Sequence, residues 1–160
     1  MSNKAGLLSV VLAAVLLVAM PVYAETWSAP KWRGQTVHVP VYSHVYYGNK
    51  ESRFALATTL SVRNSSAEHT IVLEEVSYLD SEGKVVHRFI KDEVNITALA
   101  GVRFVVAEND LSGGSSARFI VRWSSKSPVP APIIEGVMIG TASSQGISFV
   151  TGGVPLEGRK

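Results

Sequence analysis

From Thr36 to Val150 the apolar positions of this chain recur mostly at every second residue. Side chains of an extended strand point alternately to its two faces, so this period predicts half-buried β-strands rather than helices. TVHVPVY places Val37, Val39 and Val41 on one face, and FALATTLSVRN does the same for Phe54, Leu56, Thr58, Leu60 and Val62. KVVHRFI alternates, and GVRFVVAE aligns Val102, Phe104 and Val106. ARFIVRW turns Ala117, Phe119, Val121 and Trp123 inward, with Arg118 and Arg122 outward. PIIEGVMIGTA and GISFV complete the set. In TIVLEEVSYL the apolar phase slips near Glu74-Glu75, which predicts a β-bulge.

Turn-forming residues separate these runs, in YYGNKES, RNSSAEH, DSEGK, ENDLSGGSS, SSKSPVPAP and SSQG. No window carries a helical stripe with caps at both ends. Residues 91–101, KDEVNITALAG, fit either a short strand or a single helical turn. The spacing predicts an all-β fold over residues 36–152: a single antiparallel β-sandwich, immunoglobulin-like, of about seven to nine strands. Its core would rest on Trp123, Phe104, Phe119, Phe89 and the valines. Residues 25–35 read as an irregular lead-in and residues 153–160 as a flexible tail. SPVPAP reads as a stiff loop, since Pro128, Pro130 and Pro132 cannot all donate to a ladder.

The first 24 residues do not fit this pattern. Lys4 precedes an apolar run from Ala5 to Met20, then Pro21 and Val22-Tyr23-Ala24. This predicts a secretory signal cleaved after Ala24. The run falls short of the roughly 20 apolar residues of a spanning helix, so the mature chain is expected not to span a membrane and to be periplasmic or secreted. The 160-residue chain holds no cysteine, which removes disulfides, thiol catalysis and thiolate metal ligands. A disulfide-free exported domain fits a bacterial periplasm. The net charge of +2 loses Lys4 with the signal. A nearly balanced chain argues against nucleic acid as partner, since that affinity rests on clustered positive charge.

Five stretches carry a family resemblance in this order: VPVYSHVYYG, TTLSVRNSS, VSYLDSEGKVV, NDLSGGSSARFIVRW and PIIEGVMIGTASSQGISFV. Together they resemble a bacterial family of exported proteins known as domain of unknown function 3124. The resemblance implies export and a single small domain, and it implies no activity. The family's glycine stretch usually reads Gly-Gly-Ser-Gly-Ala-Asn-Phe; here Ser116 and Arg118 stand in place of the last glycine and the asparagine.

The glycine stretch itself invites several chemistries. A phosphate loop needs GxxxxGK[ST] before a helix, and SGGSSAR has no lysine and precedes a strand. A nucleophile elbow also needs a strand-to-helix turn, so Ser115 is not read as catalytic. Calcium could use carboxylates gathered from several loops: Glu108 and Asp110 flank one turn, Asp80 and Glu82 another. The plainer reading is turn chemistry, with Asp80 and Asp110 bonding local amides and Gly83 and Gly113 at positive φ. No cofactor is therefore expected. Of four histidines, His38, His69 and His87 read as surface residues, and no spacing predicts a zinc site. His44 lies beside Tyr42, Tyr46 and Tyr47 and could line a binding surface. Asn64 is expected to cap its turn, and Glu135 to pair with Arg103, Arg118 or Arg122.

If consecutive strands run antiparallel, their turns alternate between the two ends of the molecule. Counting from a strand at 36–47 groups the turns at 48–53, 80–83, 108–115 and 143–146. That end collects His44, Tyr47, Asp80, Glu82, Asp110, Gly113, Gly114 and Gln145 as candidate binding residues. The expected function is an exported, non-enzymatic module that binds a partner protein or envelope component. One alternative is a metal-dependent or hydrolytic enzyme using these acidic and serine-rich loops. Another is a structural protein that assembles with itself through an exposed strand edge.

Overall fold

The structure is a computed structural model that describes residues 28–142 and 145–160. The secretory segment and Ser144 lie outside the described residues. The described residues form twelve strands: β1 (Lys31–Pro40), β2 (His44–Tyr47), β3 (Ser52–Ala55), β4 (Ala57–Arg63), β5 (Ile71–Leu79), β6 (Val85–Arg88), β7 (Val94–Ile96), β8 (Gly101–Val106), β9 (Arg118–Pro130), β10 (Ile133–Ala142), β11 (Gln145–Gly152) and β12 (Val154–Arg159). The only helical piece among the described residues is a single 3₁₀ turn, Gly114–Ser116. The protein is all-β, with several antiparallel sheets and more strands than the seven to nine expected. One sheet has six strands, ordered β12-β1-β9-β5-β6 with β7 also on β5. A second is ordered β11-β10-β4-β8, and β2 and β3 form a separate hairpin.

The alternation places the core as predicted. Val37, Val39 and Val41 are buried, as are Leu56, Thr58, Leu60 and Val62, and Ala117, Phe119, Val121 and Trp123. The two larger sheets supply one continuous apolar cluster, with Ile71, Leu73 and Tyr78 from β5 and Ile134 and Met138 from β10. Phe89, in the loop after β6, spans the two sheets. Its ring lies 5.6 Å from Phe104 on β8 and 5.7 Å from Phe119 on β9. The bulge in β5 falls between Leu73 and Glu75, where the register against β9 shifts. Residues 91–101 resolve into β7 and a turn with Leu99 at φ +58°.

Several expectations are corrected. The supposed lead-in already pairs from Lys31, because β1 bonds to β9 before its apolar alternation begins. The strand expected at 36–47 is two strands: β1 ends at Pro40, and the chain crosses to the β2–β3 hairpin. The expected flexible tail at 153–160 is β12, paired antiparallel with β1. All six of its residues are exposed. It is held by main-chain bonds rather than a buried face, so no periodic signal marks it. SPVPAP is largely strand, since β9 continues to Pro130 opposite Lys31. Residues 125–128 form an excursion where only Arg33 separates the paired positions Trp32 and Gly34, and Pro128 sits in it without breaking a rung. Glu135 pairs with Arg63, its diagonal neighbour on β4, and not with Arg103, Arg118 or Arg122. Arg122 instead pairs with Glu75 at 2.8 Å.

Candidate functional site

Two turns build the first part of the predicted site. In the β5–β6 turn, Asp80 Oδ1 accepts the amides of Glu82 (3.0 Å) and Lys84 (2.8 Å), and Gly83 takes φ +86°. In the β8–β9 turn, Asp110 Oδ1 accepts the Ser112 amide at 3.0 Å and its hydroxyl at 2.5 Å. Each aspartate thus spends an oxygen closing its own turn. Among the described residues, no group of three or more His, Cys, Asp or Glu side chains gathers within range of a common metal ion.

The two turns meet, as strand parity predicts. The Ser81 hydroxyl donates to the Gly113 carbonyl and accepts the Ser116 amide, both at 3.2 Å. Arg118 Nη2 lies 3.1 Å from the carbonyls of Asp80 and Ser81 and 3.2 Å from that of Ser116. A third segment joins them: Ser43 donates to the Gly114 carbonyl through its amide (3.0 Å) and its hydroxyl (2.9 Å). Positive φ falls on Gly114, at +75°, not on Gly113 as expected. Gly113 has φ −75° and is required for a different reason. A Cβ there would overlap the Tyr78 hydroxyl and come within 2.8 Å of the Ala117 Cβ.

Beneath these turns lie two ionisable rings. Tyr78 is fully buried, and burial pushes its phenol above the usual value of 10.0; Ser43 partly offsets this, and Asp110 adds to it. The Ser43 hydroxyl donates to Gly114, and among the described residues the Tyr78 hydroxyl has no partner at hydrogen-bonding geometry. His44, a candidate for a binding surface, is only 5% exposed, and among the described residues neither ring nitrogen has a partner. Its ring meets Tyr46 edge-on at 5.1 Å. Burial, and then the Arg53 charge, hold its pKa below 6.5.

The accessible surface lies further out, on the β2–β3 hairpin. Tyr46 and Tyr47 are 50% and 57% exposed, and Tyr47 packs edge-on against Phe54 at 6.1 Å. These three residues, with Val45, Gly146 and Ile147, line a cleft of about 200 Å³ between the hairpin and the start of β11. Gln145 opens β11 opposite Ala142, which brings its backbone to this end. Glu82 is exposed, and its amide donates to Asp80 Oδ1. The structure therefore gathers Asp80, Glu82, Asp110, Gly113 and Gly114 into one cluster, with His44 buried at its margin. It puts Tyr47 and the Gln145 backbone beside a separate aromatic cleft. Ser43, Tyr78 and Ser81 were missed as partners because nothing local distinguishes them; Tyr46 was signalled by its place beside Tyr47 before the hairpin turn.

Residues 34–156 match the family described as protein of unknown function (DUF3124). The chain belongs to that family. The Ser116 amide and the Arg118 guanidinium both bind the β5–β6 turn. No curated protein matches this chain. Among solved structures, it resembles Thermotoga maritima 1070 at 14% identity and a TM-score of 0.45, over 78% of this chain and 96% of that one. It also resembles FLGD from P. aeruginosa at 15% identity and a TM-score of 0.22, over 80% of this chain and 78% of that one. Both likenesses are too loose to inform on function. No helix among the described residues is long and apolar enough to cross a membrane.

Proposed function

We propose that this member of the family is an exported, non-enzymatic binding domain of the bacterial envelope. Its contact surface is the aromatic cleft between the β2–β3 hairpin and β11. The observation that carries the reading is the pair of exposed tyrosines, Tyr46 and Tyr47, beside Phe54 and Ile147 on a cleft. Tyrosine offers a rigid apolar body with a polar tip and loses little side-chain freedom on binding, which is why it is enriched at interfaces. Export is supported by the secretory pattern of residues 1–24 and by the absence of cysteine. The shared apolar core supports reading the two larger sheets as layers of an immunoglobulin-like sandwich, a rigid base for its end loops. The aspartates that the calcium or hydrolytic alternative would use serve as turn caps, which supports a non-metal role.

Native mass spectrometry of the protein purified from its own periplasm, without chelator, tests this reading. A copurifying non-covalent species that is lost from the Tyr46→Ala/Tyr47→Ala variant supports it. A species retained by that variant overturns it. A bound metal ion lost only from Asp80→Asn/Asp110→Asn would favour the enzymatic alternative instead.

A further inference from the structure

The edges of the two larger sheets are unequally protected. An edge strand exposes unpaired main-chain groups that can template another strand, and proteins usually blunt it with charge, proline, shortness or a bulge. In the six-stranded sheet, β7 has three residues and β6 has four, with a register shift against β5. On the other side of that sheet, β12 carries Pro155, Glu157 and Arg159. In the four-stranded sheet, β8 carries Arg103 at its centre. The remaining edge, β11, has none of these devices. It runs eight residues, QGISFVTG, pairs with β10 without a register shift, and contains no charge and no proline. Among the described residues its main chain pairs with β10 alone, and Thr151 Oγ1 donates to the Pro40 carbonyl on its inner side.

The face beside this edge is also unusual. Val105, Thr59, Val137 and Val150 stand opposite one another across all four strands, on the side away from the core. Val105 is 52% and Val150 59% exposed, and Ile139 in the next row is 50% exposed. A solvated sheet face is ordinarily polar.

We propose that two copies of this chain associate by pairing β11 with β11 antiparallel about a two-fold axis, joining their four-stranded sheets into one. The absence of charge on β11 is what selects a second copy as occupant. A two-fold axis sets each side chain near its own counterpart, which repels for Arg103 on β8 but not along β11. An axis perpendicular to the sheet keeps core faces with core faces. In the register centred on Phe149, Ser148 then lies opposite the second copy's Val150. Gly146 and Ile147 of this strand also line the tyrosine cleft, whereas Ser148 and Val150 do not.

Sedimentation velocity of the mature chain across a wide concentration range should show a monomer–dimer equilibrium. Ser148→Lys/Val150→Lys places like charges across the axis in each symmetric register centred within this segment, and should raise the dissociation constant about tenfold or more. Val105→Lys, equally exposed on the far edge, should leave it unchanged. Because the natural chain has no cysteine, Ser148→Cys and Val150→Cys together supply a second readout. Oxidation should cross-link this double variant as a dimer, while Val105→Cys stays monomeric. A monomer at every concentration with no cross-link overturns the proposal. So does a dimer that Val105→Lys breaks and Ser148→Lys/Val150→Lys does not.

Discussion

Gly113 packs directly against the Tyr78 hydroxyl, with no room between them for even a methyl group. This contact ties the β8–β9 turn to the buried end of β5. Gly113→Ala would force the phenol or the turn to move, an overpacking cost of about 1–3 kcal/mol. Gly114→Ala meets the φ of +75°, a backbone strain of about 1–2 kcal/mol, and a Cβ 2.6 Å from the Ser81 Oγ, a single atom that can rotate away where the Tyr78 ring cannot. Urea unfolding of the two variants should rank Gly113→Ala as the more destabilised, and the reverse ranking would contradict this packing account.

Asn64 is 3% exposed and anchors the opposite end of the molecule. Its Nδ2 reaches the carbonyls of His69, Ile96 and Thr97 within 3.0 Å, and its Oδ1 accepts the Ser66 amide at 2.9 Å. Asn64→Ala leaves buried carbonyls unpaired and should cost about 2–3 kcal/mol. Asn64→Asp turns a carboxylate oxygen on the same carbonyls and should cost more. Denaturant midpoints measured at neutral pH would check both.

His44 should make stability depend on mild acidity. Its folded pKa lies below 6.5, so the unfolded chain takes up the proton first as pH falls. Stability is therefore greatest above about pH 6.5, declines as pH drops toward the folded pKa, and levels off below it. His44→Phe keeps an apolar ring and should flatten this part of the profile. Unfolding free energies from about pH 7.5 to about pH 5 would show the difference; parallel profiles would mean that His44 does not control it.

The Arg63–Glu135 pair joins β4 to β10 on a solvent-facing surface, with side chains 51% and 27% exposed. Water screens such a pair, so its coupling should be below about 1 kcal/mol. A double-mutant cycle with Arg63→Met and Glu135→Gln measures it. A coupling several times larger would indicate a role beyond pairing.

Much of the site's frame was legible in the sequence. Asp80 and Asp110 at turn starts and glycines behind them announce capped turns, and counting strands brings the two turns to one end. The count succeeded although it fused β1 with β2, because both precede the two turns; between the turns, β6 and β7 each run antiparallel to β5 and so count as one strand. The partners within the cluster were not legible. Ser43 and Gly114 are 71 residues apart, and Ser81 and Gly113 are 32 apart. Nothing in either local pattern specifies such a pairing. His44 looked like a surface residue because three tyrosines surround it, yet only Tyr46 and Tyr47 face outward.

The sequence by itself determined which face each main strand buries, where most turns fall, and the bulge at Leu73–Glu75. These follow from the backbone's two-residue period and the φ preferences of turn residues, both local properties. Only the tertiary structure decided which strands share a sheet, that residues 154–159 form an edge strand, that Glu135 meets Arg63, and that β11 pairs with β10 alone among the described residues. Main-chain ladders are nearly blind to side-chain identity. Their partners are chosen by the path of the whole chain and by the core it must close.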